Sequence, residues 1–101
     1  MFGLKLYRVR GDSMVPTLTS GDLLLLRRRH ARRGEIVVVA HPRHGVIVKR
    51  IGPDGSLIGD GPDSSDGLGP YDPATLIGVA VIAITPAGVR RLSARRSGNR
   101  A

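Results

Sequence analysis

Short hydrophobic runs alternate along the chain with turns built from glycine, proline and aspartate, and this pattern predicts an all-β domain. Valine, isoleucine and leucine dominate the runs, as is typical of β-strands. The predicted strands cover residues 4–9, 23–26, 35–40, 46–51, 56–58 and 76–84. A polar, glycine-rich segment fills residues 59–73, and from Pro86 onward we expect a loop, a short helical turn or disorder.

The composition is that of a single domain with one modest core. Of the 101 residues, 41% are hydrophobic but only 3% are aromatic, so aliphatic side chains must fill the core. The chain has no cysteine, which excludes disulfides, a thiolate nucleophile and thiolate metal ligands. No stretch reaches the roughly 20 apolar residues of a membrane helix, and the first residues do not resemble a secretory signal. We therefore expect a soluble, cytoplasmic protein.

The formal net charge is +8, and the arginines are concentrated in two places. The first arginine cluster consists of Arg27, Arg28, Arg29, Arg32 and Arg33 with His30, and the C-terminal arginine cluster consists of Arg90, Arg91, Arg95, Arg96 and Arg100. Such charge attracts phosphates, anionic lipids and acidic peptides. No aromatic residue is interleaved with the arginines, which argues against a nucleic-acid surface that stacks bases. Two interpretations of the arginine clusters stay open. They either contact an anionic membrane at its surface or form a solvated loop and tail without an anionic partner.

The histidines His30, His41 and His44 are predicted to be surface residues. His41 and His44 have a turn-like spacing, with no cysteine or acidic neighbour to complete a set of metal ligands. We therefore predict neither a metal nor a cofactor. A Ser-His-Asp triad that uses His41 stays open at this stage.

Lys49 has an unexpected position in the predicted strand 46–51. Side chains alternate between the faces of a strand, so Lys49 shares a face with Ile47 and Ile51, while Arg50 lies on the other face. If the isoleucine face packs in the core, the lysine amine enters apolar surroundings. A buried amine avoids the cost of a desolvated charge by losing its proton.

The choice of lysine at this position favours a chemical role. Only Lys5 and Lys49 are lysine among the 16 basic residues. Arginine stays protonated in proteins, whereas a desolvated lysine can act as a general base. Lowering its pKa to about 7–8 requires about 3–5 kcal/mol of differential destabilisation, which burial can supply. The alternative is a lysine whose stem extends along an apolar strand and keeps the charge in water.

The segment GDSMVPTL, residues 11–18, contains the candidate partner of this lysine. Glycine, aspartate, serine and proline are common turn formers, so a surface turn is the simple interpretation of Ser13. A serine becomes a good nucleophile when an adjacent base accepts its proton. Ser13 and Lys49 are therefore a candidate nucleophile and general base.

The chain resembles the type I signal peptidase family, because GDSMVPTL, SGDLLLL, GEIVVV, VIVKRI and GDGPDSSD occur in that family's order and approximate spacing. The first segment resembles the nucleophile box, VKR the general-base box, and GDG with the following Ser-x-Asp the third box. The resemblance implies a mostly antiparallel β fold of the signal-peptidase/LexA type and a serine endopeptidase with a Ser/Lys dyad. Ser13 would be the nucleophile and Lys49 the general base, with Met14 and Pro16 contacting the substrate. Residues 1–85 would form the catalytic domain and residues 86–101 a basic tail.

The resemblance also implies an oxyanion hole, to which the main-chain N–H of Ser13 should contribute. In some family members a hydroxyl two residues before the nucleophile adds a second donor. The chain has Gly11 at that position, so another group must supply the second donor.

The third box departs from the family pattern at two places. Gly61 stands where the family usually has asparagine, and residues 67–68 are Gly-Leu where Ser-Arg is expected. Either Ser64, from its Ser-x-Asp context, or Ser65, from direct spacing, could orient the lysine, and the context slightly favours Ser64. Because of these departures, a second interpretation stays open, in which the protein is an inactive member of the family.

Small soluble members of the family resemble the chain best, especially the nickel-type superoxide dismutase maturation protease, since only 12 residues precede Ser13. We therefore expect cleavage of an N-terminal leader or signal peptide from a precursor protein, with nickel superoxide dismutase as one candidate. Self-cleaving LexA-like repressors share G-x-S-M and Val-Lys-Arg, but they also carry an N-terminal DNA-binding domain. The 12 residues before Ser13 show no helix-turn-helix pattern, so we expect self-cleavage only if the sequence is part of a longer protein. A third interpretation is a non-catalytic basic binding module. It would explain the net charge, but it would give Ser13 and Lys49 no chemical role.

Overall fold

The computed structural model describes residues 3–61 and 68–94. These residues form the strands β1 (Leu4–Arg8), β2 (Leu23–Arg27), β3 (Ile36–His41), β4 (Gly45–Ile51), β5 (Leu57–Ile58), β6 (Leu76–Thr85) and β7 (Gly88–Arg91), with a 3₁₀ helix over Pro73–Thr75. All strand pairs are antiparallel, in the sheet order β1-β2-β6-β3-β4-β5. The prediction of a mostly antiparallel, single-domain all-β fold is confirmed.

The six predicted strands match β1 to β6 to within one residue at each end. The expectation of a loop, helical turn or disorder from Pro86 onward is wrong over Gly88–Arg91, because β7 pairs with residues 82–85 of β6. Leu92 then packs against the core. The sheet therefore continues past residue 85, where the catalytic domain was predicted to end, and the tail beyond residue 94 lies outside the described residues.

Apolar side chains form two clusters on opposite faces of the sheet, as the alternation of β3 shows. The first core cluster consists of Val9, Met14, Leu18, Leu24, Leu26, Ile36, Val38, Val48, Ala80 and Ala83. The second core cluster consists of Ala31, Val37, Val39, Ile51, Leu57, Leu68 and Val79. Because successive side chains of β3 enter different clusters, both faces of the central sheet are covered.

The central strands approach closely at one glycine. A Cβ atom at Gly78 of β6 would lie 2.8 Å from the Cβ atom of Leu26 in β2. The register between β2 and β6 shifts between Leu25 and Leu26 at this point. Such an irregularity bends and twists a sheet.

The sheet curls so that distant strands meet. In sheet order, three strands separate β1 from β4, yet residues of both line one cavity. The open seam between β1 and β4 is where the candidate site lies. In the part of the chain that the structure describes, we find no helix with the length and apolar character to span a membrane.

Candidate active site

The loop that joins β1 to β2 carries Ser13, and hydrogen bonds hold it at both ends. At its base, the Val9 N–H donates to the Asp22 carbonyl oxygen at 2.8 Å. Just after Ser13, the Leu18 N–H donates to the Met14 carbonyl oxygen at 2.9 Å and closes a turn. The side chains of Met14 and Leu18 are buried in the first core cluster, so apolar packing fixes the segment that follows the serine.

Gly61 contacts the main chain of this loop from the other side. The Gly61 N–H donates to the Ser13 carbonyl oxygen at 2.9 Å. A Cβ atom at position 61 would lie 3.0 Å from the Asp12 carbonyl oxygen and 3.2 Å from that of Val15. A side chain at position 61, where the family usually has asparagine, would therefore push the two backbones apart by a few tenths of an ångström, and this close approach favours glycine.

Ser13 itself is half-buried. Within residues 3–61 and 68–94, neither its hydroxyl nor its main-chain N–H makes a hydrogen bond. Gly11 has a φ of +79°, in the left-handed region that favours glycine, and nothing lies within 4 Å of a Cβ built on it. The two donor groups of Ser13 are therefore available to a ligand.

Lys49 lies in β4 opposite Val37 of β3, and only 7% of its surface is exposed. Burial lowers the pKa of the Lys49 amine, because the apolar surroundings stabilise the charged form poorly. Among the described residues, no hydrogen bond or ion pair to another side chain holds the amine. Within the described part of the chain, the amine therefore lacks a counter-charge that would retain its proton.

Ser13 and Lys49 line the same cavity, which has a volume of about 200 Å³. Tyr7 and Arg10, at the end of β1 and just after it, complete the lining together with residues 46–48 of β4. Burial raises the pKa of Tyr7, an effect that the nearby charge of Arg10 partly offsets. The cavity thus brings together a hydroxyl, an amine of lowered pKa and a guanidinium.

A buried ion pair that the sequence motifs did not predict contacts the loop of Ser13. The Arg50 Nε and Nη2 atoms donate to the two carboxylate oxygens of Asp60 at 2.8 and 2.7 Å. The side chains of Arg50 and Asp60 are 5% and 1% exposed. Thr17 Oγ1 donates to the same carboxylate at 2.5 Å, and Arg50 Nη1 donates to the Gly34 carbonyl oxygen at 2.6 Å. The pair therefore joins β4, the segment after β5 and the loop of Ser13.

A signal for this pair was present in the sequence. Arg50 and Asp60 belong to VKR and GDG, the two segments that resemble family boxes. Arg50 also shares a strand face with Val48, so an inward arginine required a buried acidic partner. The segments that resemble family boxes therefore contribute a buried ion pair that supports the site, in addition to the candidate residues Ser13 and Lys49.

The remaining predicted site residues lie in different surroundings. Met14 is 1% exposed and packs in the first core cluster, so contact between Met14 and a substrate stays a prediction. Pro16 is exposed and follows a cis peptide bond. Ser64 and Ser65 lie outside the described residues, so the orientation of Lys49 by either serine stays a prediction.

His41 belongs to a different cavity, of about 320 Å³, whose lining includes Asp72 but not Ser13. Its Nε2 atom hydrogen-bonds the Leu68 carbonyl oxygen at 2.9 Å, and its Nδ1 atom accepts from the Arg43 N–H at 3.1 Å. Both ring nitrogens are thus engaged away from Ser13, so the triad left open by the sequence is not formed. Within residues 3–61 and 68–94, no group of three or more histidine, aspartate or glutamate side chains could hold a metal ion.

The first arginine cluster is partly tied to neighbouring groups. Arg29 forms a two-point ion pair with Glu35 at 2.8 and 3.1 Å, which lowers the Glu35 pKa. Arg33 donates to the Pro53 carbonyl oxygen at 3.0 Å. In the C-terminal cluster, Arg90 donates to the Thr17 carbonyl oxygen. Arg95, Arg96 and Arg100 of the same cluster lie outside the described residues.

The antiparallel sheet, with a serine and a buried lysine at its seam, fits a serine peptidase-like domain. Comparison with known families agrees, since the model of the Peptidase S24-like family matches residues 3–59, more than half of the chain. The chain therefore belongs to the Peptidase S24-like family, within the LexA/signal peptidase-like superfamily. No curated protein and no solved structure matched the chain.

Proposed function

We propose that the protein is a serine endopeptidase with Ser13 as nucleophile and Lys49 as general base, and that it removes an N-terminal leader or signal peptide from a precursor protein. The observation that carries the proposal is the largely buried side chain of Lys49, whose amine has a lowered pKa, in the cavity that Ser13 lines. Membership of a family of serine peptidase-like domains supports the same chemistry.

In the proposed reaction, the neutral Lys49 amine accepts the Ser13 hydroxyl proton while the oxygen attacks the scissile carbonyl carbon. The Ser13 N–H, which makes no hydrogen bond within the described part of the chain, donates to the developing oxyanion. The ammonium group then returns the proton to the departing peptide nitrogen. Water hydrolyses the acyl-enzyme by the same sequence of proton transfers, and both groups return to their starting state.

The substrate would bind as an extended strand at the seam. β1 ends the sheet, and within residues 3–61 and 68–94 the segment 45–49 of β4 has no strand partner on its outer side. Unpaired backbone groups at such edges pair readily with an added peptide strand. From the resemblance to signal peptidases we expect small residues before the scissile bond, and a nickel superoxide dismutase precursor is the first candidate substrate.

A second candidate is self-cleavage of the kind found in LexA-like repressors, and the Peptidase S24-like match favours it. The two functions differ in where the scissile bond lies. Self-cleavage is intramolecular, so its rate is independent of protein concentration, whereas precursor cleavage depends on the concentration of both proteins.

The test is incubation of the protein with leader-bearing precursors, followed by mass spectrometry of the products. We expect one new N-terminus with the wild type and none with Ser13→Ala. A serine-directed acylating probe should label the wild type and not Ser13→Ala. Cleavage that survives in Ser13→Ala would refute the role of the serine.

The two lysines of the chain provide a matched control for the base. Lys49→Arg keeps the positive charge but cannot accept a proton, so cleavage should be lost. Lys5→Arg makes the same change at an exposed position of β1, away from the cavity, and should cleave like the wild type. Equal activity in the two variants would rule out Lys49 as the general base.

A further inference from the structure

A second cavity, of about 310 Å³, continues the one that holds Ser13 and Lys49. It is lined by Leu6, Tyr7, Arg8, Arg10 and Val46, and three of these residues also line the first cavity. Leu6 and Val46 are 62% and 51% exposed, so apolar surface faces the solvent along this path. The two cavities form one groove that runs from the candidate dyad along β1, and we call it the β1 groove.

Arg10 is the charged residue common to both cavities. It is exposed, and within residues 3–61 and 68–94 its guanidinium has no hydrogen-bond or ion-pair partner. The neighbouring Arg8 differs, because its Nη1 atom donates to the Gly21 carbonyl oxygen at 2.9 Å. Among the described residues that line the two cavities, none is acidic. Within this part of the chain, the groove therefore offers a guanidinium without a counter-charge next to the candidate nucleophile.

We propose that Arg10 is a specificity-determining residue that selects extended peptides with an aspartate or glutamate close to the bond at Ser13. This inference rests on the proposed peptidase function and adds the class of substrate. A guanidinium binds a carboxylate through two parallel hydrogen bonds, which fixes the register of the peptide as well as adding affinity. Leu6 and Val46 would contact the apolar side chains on either side of the acidic residue.

The net charge of the protein also attracts acidic peptides, but this attraction is less specific than pairing with Arg10. A charge of +8 attracts any acidic peptide at long range, whatever the position of the acidic residue. Pairing with Arg10 instead requires the carboxylate at one position of the bound strand. The dependence on position distinguishes the two effects.

The binding test uses the Ser13→Ala protein and fluorescein-labelled decapeptides of alanine and valine, with one aspartate, asparagine or lysine moved through every position. Fluorescence anisotropy measures the dissociation constants. We expect aspartate to bind roughly two- to fivefold more tightly than asparagine at one position, in the upper range of an exposed ion pair. Arg10→Gln should remove this preference, and Arg10→Glu should favour the lysine peptide at the same position.

Arg27→Gln is the matched control, because it removes the same charge from an exposed site at the far end of the β1–β2 hairpin. It should lower the affinity for all acidic peptides slightly and leave the positional preference intact. A preference for aspartate that persists in Arg10→Gln would overturn the proposal. Equal affinity for aspartate and asparagine at every position, or no binding of any peptide, would also overturn it.

Cleavage of the same peptides by the wild-type protein separates this inference from the proposed function. If peptide binding depends on Arg10 but no peptide is cleaved, the proposed peptidase function is refuted and the proposed selectivity of the β1 groove is supported. Cleavage with equal kcat/KM for the aspartate and asparagine peptides would keep the peptidase and refute the role of Arg10.

Discussion

The buried ion pair between Arg50 and Asp60 should dominate the stability of the site. The Asp60→Asn change keeps the shape of the side chain but removes the charge that faces the guanidinium. The Arg50 side chain is only 5% exposed, so the remaining charge cannot be well hydrated. Removing one partner of a buried pair costs about 3–5 kcal/mol, out of about 5–15 kcal/mol for the unfolding of a domain of this size.

Urea unfolding followed by circular dichroism measures this loss. With a slope of about 1–3 kcal/mol per molar urea, the midpoint of Asp60→Asn should fall by at least about 1 M. Glu35→Gln is the control, because its partner Arg29 is 35% exposed and such pairs contribute about 1 kcal/mol or less. Equal midpoints for the two variants would refute the reasoning, since it depends on the difference in burial.

Three further changes test the site and the sheet. Folding lowers the Lys49 pKa, so the unfolded chain binds more protons between that pKa and about 10.4, and stability should rise with pH across this window. Lys49→Met should abolish cleavage and stabilise the protein near neutral pH by about 0.5–2 kcal/mol. In this variant the urea midpoint should no longer rise with pH across the window, and an unchanged pH dependence would show that Lys49 is not its source. Gly61→Ala should push the loop of Ser13 out of place and lower kcat more than stability, and unchanged kinetics would show that the loop can move freely. Gly78→Ala should lower stability by about 1–3 kcal/mol because its Cβ meets Leu26, which thermal unfolding would detect.

Much of the fold follows from local chemistry. The first six strands are rich in valine, isoleucine and leucine, and glycine, proline or aspartate follows most of them, so composition alone locates them to within one residue. β7 was missed because its sequence, GVRR, has no apolar alternation. It becomes a strand by pairing with the end of β6, a tertiary interaction that local pattern does not encode.

The candidate site was predictable only in part. Alternation along β4 predicted the burial of Lys49, since the two isoleucines of its face belong to or pack against the second core cluster. The role of Tyr7 and Arg10 depends on how far the sheet curls, and the strand sequences do not specify that curvature. The position of Gly61 against the loop of Ser13 likewise depends on the approach of segments far apart in the chain.

Within residues 3–61 and 68–94, one edge of β1 has no strand partner, and the charged side chains of that strand protect this edge. An unpaired strand edge is a template for another copy of the same protein, and such edges promote aggregation when they are flat and apolar. Lys5, Arg8 and Arg10 lie on or next to this edge and are exposed. Two copies that approached through β1 would bring these like charges together, so the charges oppose pairing of one copy with another along this edge.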